Sequence, residues 1–84
     1  MRYALIGYGR MGRAIEEQAR RREHELAAVV DPDVRVSHGR SRIDDVAPRG
    51  AQVAFEFTRP DQAEANVGAI VERGVPVVCG TTGW

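Results

Sequence analysis

Eighty-four residues with twelve basic and twelve acidic side chains carry no formal net charge, so nothing draws the chain generally to nucleic acid or an anionic membrane surface. At 43% hydrophobic and 29% charged residues, the composition suits one soluble domain with a modest core and leaves no room for a second. The single cysteine, Cys79, excludes an internal disulfide, and Gly7 interrupts the first apolar run too early for a secretory signal or membrane span, so a soluble cytoplasmic protein is expected.

The apolar run 3–6 stops at glycine and predicts a short strand buried on both faces. Met11, Ala14, Ile15 and Ala19 then recur at helical spacing, predicting a helix over 11–22. Its last turn gathers Arg20, Arg21 and Arg22 at the negative end of the dipole. A second strand is expected over 26–30, stopped by Asp31-Pro32. From 33 to 50 the chain is rich in Asp, Arg, Ser and Gly, which predicts loop with one helical turn near 43–46.

A third strand follows over 53–57. The next helix, over 60–73, has Ala63, Val67, Ile70 and Val71 on one face, proline in its first turn and Gly74 as its stop. A fourth strand is expected over 75–79, weakened at its start by Pro76. Strand–helix–strand succession demands parallel pairing with right-handed crossovers. The expected fold is therefore α/β, a Rossmann-like parallel sheet in the order 2-1-3-4 with helices on both faces, in one domain spanning 1–84. A ligand of such a sheet lies outside the carboxyl ends of its strands, between the first and third.

Residues Gly7-Tyr8-Gly9-Arg10-Met11-Gly12 satisfy G-x-G-x-x-G in the context that this pattern requires, with a strand before and an amphipathic helix after. Gly7 allows the sharp turn, Gly9 lets a pyrophosphate approach the backbone, and Gly12 lets the helix pack closely. The helix start offers unpaired N–H groups and partial positive charge to the phosphates. Asp31 stands nineteen residues beyond Gly12, at the end of the second strand, where an acid accepts hydrogen bonds from ribose hydroxyls. Its alternative role is a turn former in Asp31-Pro32-Asp33. A dinucleotide is the favoured ligand. An acid at Asp31 favours NADH, whereas Arg10, Arg35, Arg40 and Arg42 are candidates to neutralise the extra phosphate of NADPH.

Two further stretches end strands where cofactor contacts belong. Phe57 is placed beside the adenosine or pyrophosphate arm, and Thr58 either donates to phosphate or caps the next helix. The loop Gly80-Thr81-Thr82-Gly83 allows close backbone approach, with the start of another helix as its alternative. Cys79 reads as a buried small hydrophobe.

With "ALIGYGRMG", Asp31, "VAFEFTRP" and "GVPVVCGTTGW" in view, the whole chain resembles the N-terminal domain of dihydrodipicolinate reductase, an enzyme family of lysine and diaminopimelate biosynthesis. The resemblance implies an oxidoreductase that reduces 4-hydroxy-tetrahydrodipicolinate, a small dicarboxylate, with NADH or NADPH, and a homo-oligomer at full length. It places Gly7 to Gly12 at the pyrophosphate, with Arg10 near the adenosine side and Asp31 at the ribose. Phe57 and Thr58 would hold the middle of the cofactor, and Gly80, Thr81 and Thr82 its nicotinamide end.

The glycine turn is the family's shorter variant, the polar loop is compact, and Glu56 stands where the family usually has Asp, a mild change. The family's substrate domain, with its histidine- and lysine-bearing motif, has no counterpart in these residues. Neither His24 nor His38 matches that motif, so no catalytic residue or metal site is assigned and the 84 residues alone are expected to be catalytically incomplete. Two alternatives stay open: a free-standing module sensing NADH or adenine nucleotides, and the first domain of another nicotinamide-dependent dehydrogenase.

Overall fold

The structure, a computed structural model, describes residues 1–31 and 42–83. The elements run β1 (Arg2–Ile6), α1 (Arg10–Arg21), β2 (Glu25–Val30), α2 (Ile43–Val46), β3 (Val53–Glu56), α3 (Pro60–Glu72) and β4 (Val77–Cys79). The strands form one parallel sheet in the order β2-β1-β3-β4, as expected, which makes this a Rossmann-like α/β fold.

Side-chain alternation divides the core. Ala4, Ile6, Ala28 and Ala54 point to one face and meet Val46 of α2 and Ile70 of α3 in the main apolar cluster. The small alanines let those helices settle close to the sheet, and burial of the larger side chains supplies the driving force. On the other face Tyr3 meets Phe55 edge-on, with ring centroids 6.2 Å apart. Only α1 covers that face among the described residues. Met11 therefore remains 52% exposed, and a groove of about 390 Å³ lies between Met11, Ala14, Ile15 and Ala19 of α1 and the Tyr3–Phe55 pair.

Local signals explain most boundaries. Pro60 opens α3 with a preset φ and no amide to satisfy, and Gly74, at φ +80°, follows its end. Arg20 and Arg21 lie in the last turn of α1, where both pair with Glu17.

Two expectations need correction. β4 starts at Val77 rather than at residue 75, because the Val75 N–H is taken by the Ile70 carbonyl and Pro76 has no N–H to offer. Val71 is 55% exposed: the bury-facing arc of α3 holds Ala63 and Ile70, and Val71 lies about 100° round the helix from Ile70. Among the described residues, no helix is long and apolar enough to cross a membrane.

Candidate functional site

The site is built where three strands end. Beyond β1 the ladder continues for one more bond, from Gly7 N–H to the Val30 carbonyl at 2.7 Å, and the chain then turns at Gly7 with φ +95°. A Cβ there would lie 2.2 Å from the Phe57 carbonyl oxygen, and one on Gly12 would lie 2.6 Å from the Gly7 carbonyl oxygen. These two glycines let the turn, α1 and the β3 end close on one another. Gly9 is different: among the described residues, a Cβ there would meet nothing within 4 Å. Its side faces open space in front of the first turn of α1.

That turn is equipped to receive an acceptor from outside. The Arg13 N–H donates to the Gly9 carbonyl at 3.0 Å, and no side chain caps the helix among the described residues. Amides preceding Arg13 have no partner within the helix and carry the positive end of its dipole. Tyr8 is an exception among the nearby amides, because its N–H donates to Asp31 Oδ2 at 2.5 Å. This bond turns the β2 carboxylate towards the glycine turn. The Tyr8 side chain follows α1 instead: its hydroxyl donates to Glu16, and the Arg13 guanidinium lies 5.3 Å from its ring centre. Burial, with the Glu16 carboxylate, pushes the Tyr8 phenol up to about 12, so the hydroxyl keeps its proton at neutral pH.

Gly7, Tyr8, Gly9, Asp31, Phe57 and Thr58 line one cleft of about 240 Å³, together with Arg59 and Gln62. Asp31, Thr58 and Gln62 also line a larger neighbouring hollow of about 600 Å³, to which α2 contributes and Arg42 brings a cation. Arg10 is exposed at the start of α1, Met11 faces the groove on the opposite side of the sheet, and Gly12 is buried beneath the turn. Gly80 and Thr81 support the cleft from behind. A Cβ on Gly80 would collide with the Phe57 ring at 1.9 Å, and Thr81 Oγ1 accepts the Thr58 N–H at 2.8 Å. Thr82 is exposed on the same loop. Arg35, Arg40 and His38 lie outside the described residues, whereas His24 sits 3.3 Å from the Met1 amino group, at the far end of the sheet from the cleft.

Sequence reasoning took Glu56 only as a mild replacement of another acid and gave it no role, yet it is fully buried at the end of β3. Its Oε1 accepts the Thr81 hydroxyl at 2.6 Å and the Cys79 thiol at 3.3 Å, while Oε2 accepts the Thr58 hydroxyl and Asn66 Nδ2 at 3.3 Å. Burial pushes this carboxyl up, but the hydrogen bonds from Thr58, Thr81, Asn66 and Cys79 outweigh it and hold it below the usual glutamate range. A signal was available: Glu56 shares the inward phase of the strand with buried Ala54. An acid in that phase needs partners from neighbouring segments.

Two side-chain expectations change with it. Thr58 does not cap α3, whose N-cap is Arg59, because its hydroxyl is committed to Glu56. Cys79 is half-buried and polar in its contacts rather than a simple apolar filler.

A parallel sheet with a glycine turn, a facing acid and a small-residue loop at its carboxyl end defines a Rossmann-like domain. Residues 1–84 match the family described as "Dihydrodipicolinate reductase, N-terminus", and the chain belongs to that family. It is 38% identical over 84 residues to a 4-hydroxy-tetrahydrodipicolinate reductase of Christiangramia forsetii, covering 100% of this chain and 32% of that protein. A protein of the same name from Beutenbergia cavernae is 42% identical over 88 residues, again with 100% and 32% covered. A third, from Bifidobacterium animalis subsp. lactis, is 35% identical over 86 residues, with 100% and 31% covered. The chain thus spans about a third of the length of the curated relatives it matches.

Proposed function

We propose that this chain binds NADH or NADPH across the carboxyl ends of its strands. It thereby supplies the cofactor-holding part of an oxidoreductase acting on 4-hydroxy-tetrahydrodipicolinate, the compound for which its relatives are named. The observation that carries this reading is the Asp31 carboxylate, fixed 2.5 Å from the Tyr8 N–H inside the glycine-lined cleft. It stands at the end of β2, where ribose hydroxyls need an acceptor. The open space beside Gly9 fits the group, since phosphate oxygens require backbone approach without an intervening Cβ.

In this reading the first-turn amides of α1 hold the pyrophosphate and Asp31 orients the ribose. Phe57, seated on Gly80, walls the middle of the cleft, and the Gly80-Thr81-Thr82 loop borders the nicotinamide end. When bound, the nicotinamide supplies a hydride, while the protein supplies orientation and electrostatics. We assign no proton donor to the described residues, because His24 lies at the opposite end of the sheet. The reading includes lysine and diaminopimelate biosynthesis, a cytoplasmic setting, a homo-oligomeric full-length enzyme and no nucleic-acid partner. NADH binds at least as well as NADPH, because the Asp31 carboxylate repels a 2′-phosphate while Arg42, across the adjoining hollow, offsets part of that repulsion.

Calorimetric titration with NADH, NADPH and ADP-ribose tests the reading. Binding of NADH, tighter than ADP-ribose and no weaker than NADPH at physiological salt, is expected. No binding of either dinucleotide overturns it, and equal affinities for ADP-ribose and NADH favour a nucleotide sensor instead.

A further inference from the structure

We propose that Glu56 is a positioning residue for the nicotinamide end of the dinucleotide, setting affinity there through Thr58 and Thr81; this rests on the cofactor reading above. The sheet order supplies the direction. β2, with Asp31, lies on one side of β1, and β3 and β4 lie on the other. The β4 end is two strands from the glycine turn, about 10 Å at ordinary strand spacing. A dinucleotide whose ribose meets Asp31 and whose phosphates meet α1 therefore runs on over the loops that follow β3 and β4.

Glu56 ties those two loops together, one oxygen to each. Oε1 holds the β4 loop through the Thr81 hydroxyl at 2.6 Å, and Oε2 holds the β3 loop through the Thr58 hydroxyl and α3 through Asn66 at 3.3 Å. Thr81 spends its proton on Glu56, so its oxygen is oriented to accept the Thr58 N–H at 2.8 Å. The Glu56 carbonyl also accepts the Gly80 N–H at 2.8 Å, fixing the start of the same loop.

An apolar residue at this inward position would pack against α3 without the cost of desolvating a charge. What a carboxylate adds is directional attachment of three segments at once. The near half of the cradle is organised separately, by Gly7 N–H on the Val30 carbonyl and by Asp31 on Tyr8. Loss of the Glu56 carboxylate should loosen one half and spare the other.

The test measures NADH and ADP-ribose affinities of the 84-residue chain and of Glu56→Gln and Glu56→Asp, with circular dichroism as the check on folding. Glu56→Gln should weaken NADH about tenfold and leave ADP-ribose within about threefold, as expected for losing oriented hydrogen bonds on one side only. Glu56→Asp, which keeps the carboxylate, should recover most of the NADH affinity. If Glu56→Gln fails to fold, Thr81→Val and Thr81→Ser carry the test, with loss for Val and retention for Ser. Unchanged NADH affinity in the folded variants, or parallel loss of both ligands, overturns the assignment and makes Glu56 structural only. Wild-type protein that binds NADH no better than ADP-ribose also overturns it, whereas wild-type protein that binds neither overturns the cofactor reading itself.

Discussion

Gly12 packs directly on the backbone of Gly7: a Cβ on Gly12 would stand 2.6 Å from the Gly7 carbonyl oxygen, while Gly9 between them faces open space. The three glycines of one motif are therefore not equivalent: packing requires two of them and does not require the third. Gly12→Ala should destabilise the fold by about 1–3 kcal/mol through overpacking. Gly9→Ala, at φ −90°, needs no unusual backbone and should change stability by less than about 0.5 kcal/mol. Its methyl group should still cost about tenfold or more in NADH affinity by standing where phosphate must approach. Thermal melts and titrations of the two variants separate the roles, and a Gly9→Ala protein with full NADH affinity would remove the phosphate from this turn.

Asp31 joins β2 to the turn through the Tyr8 N–H. Asp31→Ala should destabilise the fold by about 1–2 kcal/mol, because that amide loses a charged acceptor in a half-buried setting. Asp31→Asn keeps an acceptor but removes the negative charge, so the ratio of NADPH to NADH affinity should rise. A ratio that stays constant would show that this carboxylate does not face the adenosine ribose.

The Glu56 carboxyl is held below the ordinary range, so the folded protein binds fewer protons there than the unfolded chain. The stability it contributes is complete above the unfolded carboxylate range and is lost as pH falls through the depressed folded value. Urea unfolding from neutral pH down to about pH 3 should show a steep acid loss that Glu56→Gln flattens. Glu17, lowered by its hydrogen bond to Arg20, has the same sign, but it lies on the surface and its share should fade in high salt. An acid slope unaltered in Glu56→Gln would contradict the hydrogen-bonded carboxylate.

β4 is a three-residue strand at one edge of the sheet, and Val78 on it is 50% exposed on the face that α1 leaves open. An edge left unpaired among the described residues, beside an exposed valine, favours pairing with another chain. Sedimentation of the 84-residue chain should show concentration-dependent association that Val78→Lys reduces. NADH at a hundred times its Kd should add about 2.7 kcal/mol of apparent stability. A monomer at all concentrations whose melting temperature ignores NADH would count against both the edge and the cofactor.

Much of this protein could be read from residues alone because the relevant information is local. The glycine spacing with a strand before and a helix after it, Asp31-Pro32 as a strand stop, and Pro60 with Gly74 around a helix each act within a few residues. Parallel pairing followed from the strand–helix–strand succession, and the order 2-1-3-4 from the lack of a strand pattern between residues 33 and 50. The family resemblance, carried by "GVPVVCGTTGW" above all, pointed to the reductases with which the chain groups.

The side-chain network of the cleft was not legible in that way. Thr58 offers the same cap-forming hydroxyl in sequence whether or not a partner is present, and Glu56 beside it looks like a mild replacement of another acid. Only the alignment of β3 with β4, which sets Glu56 opposite Cys79, brings the Thr58 and Thr81 hydroxyls onto one carboxylate. Local propensity and spacing thus determined the elements and the glycine turn. The folded sheet alone decided what each polar atom near the cleft would bond, because those partners lie as many as 25 residues apart and meet only when the strands are in register.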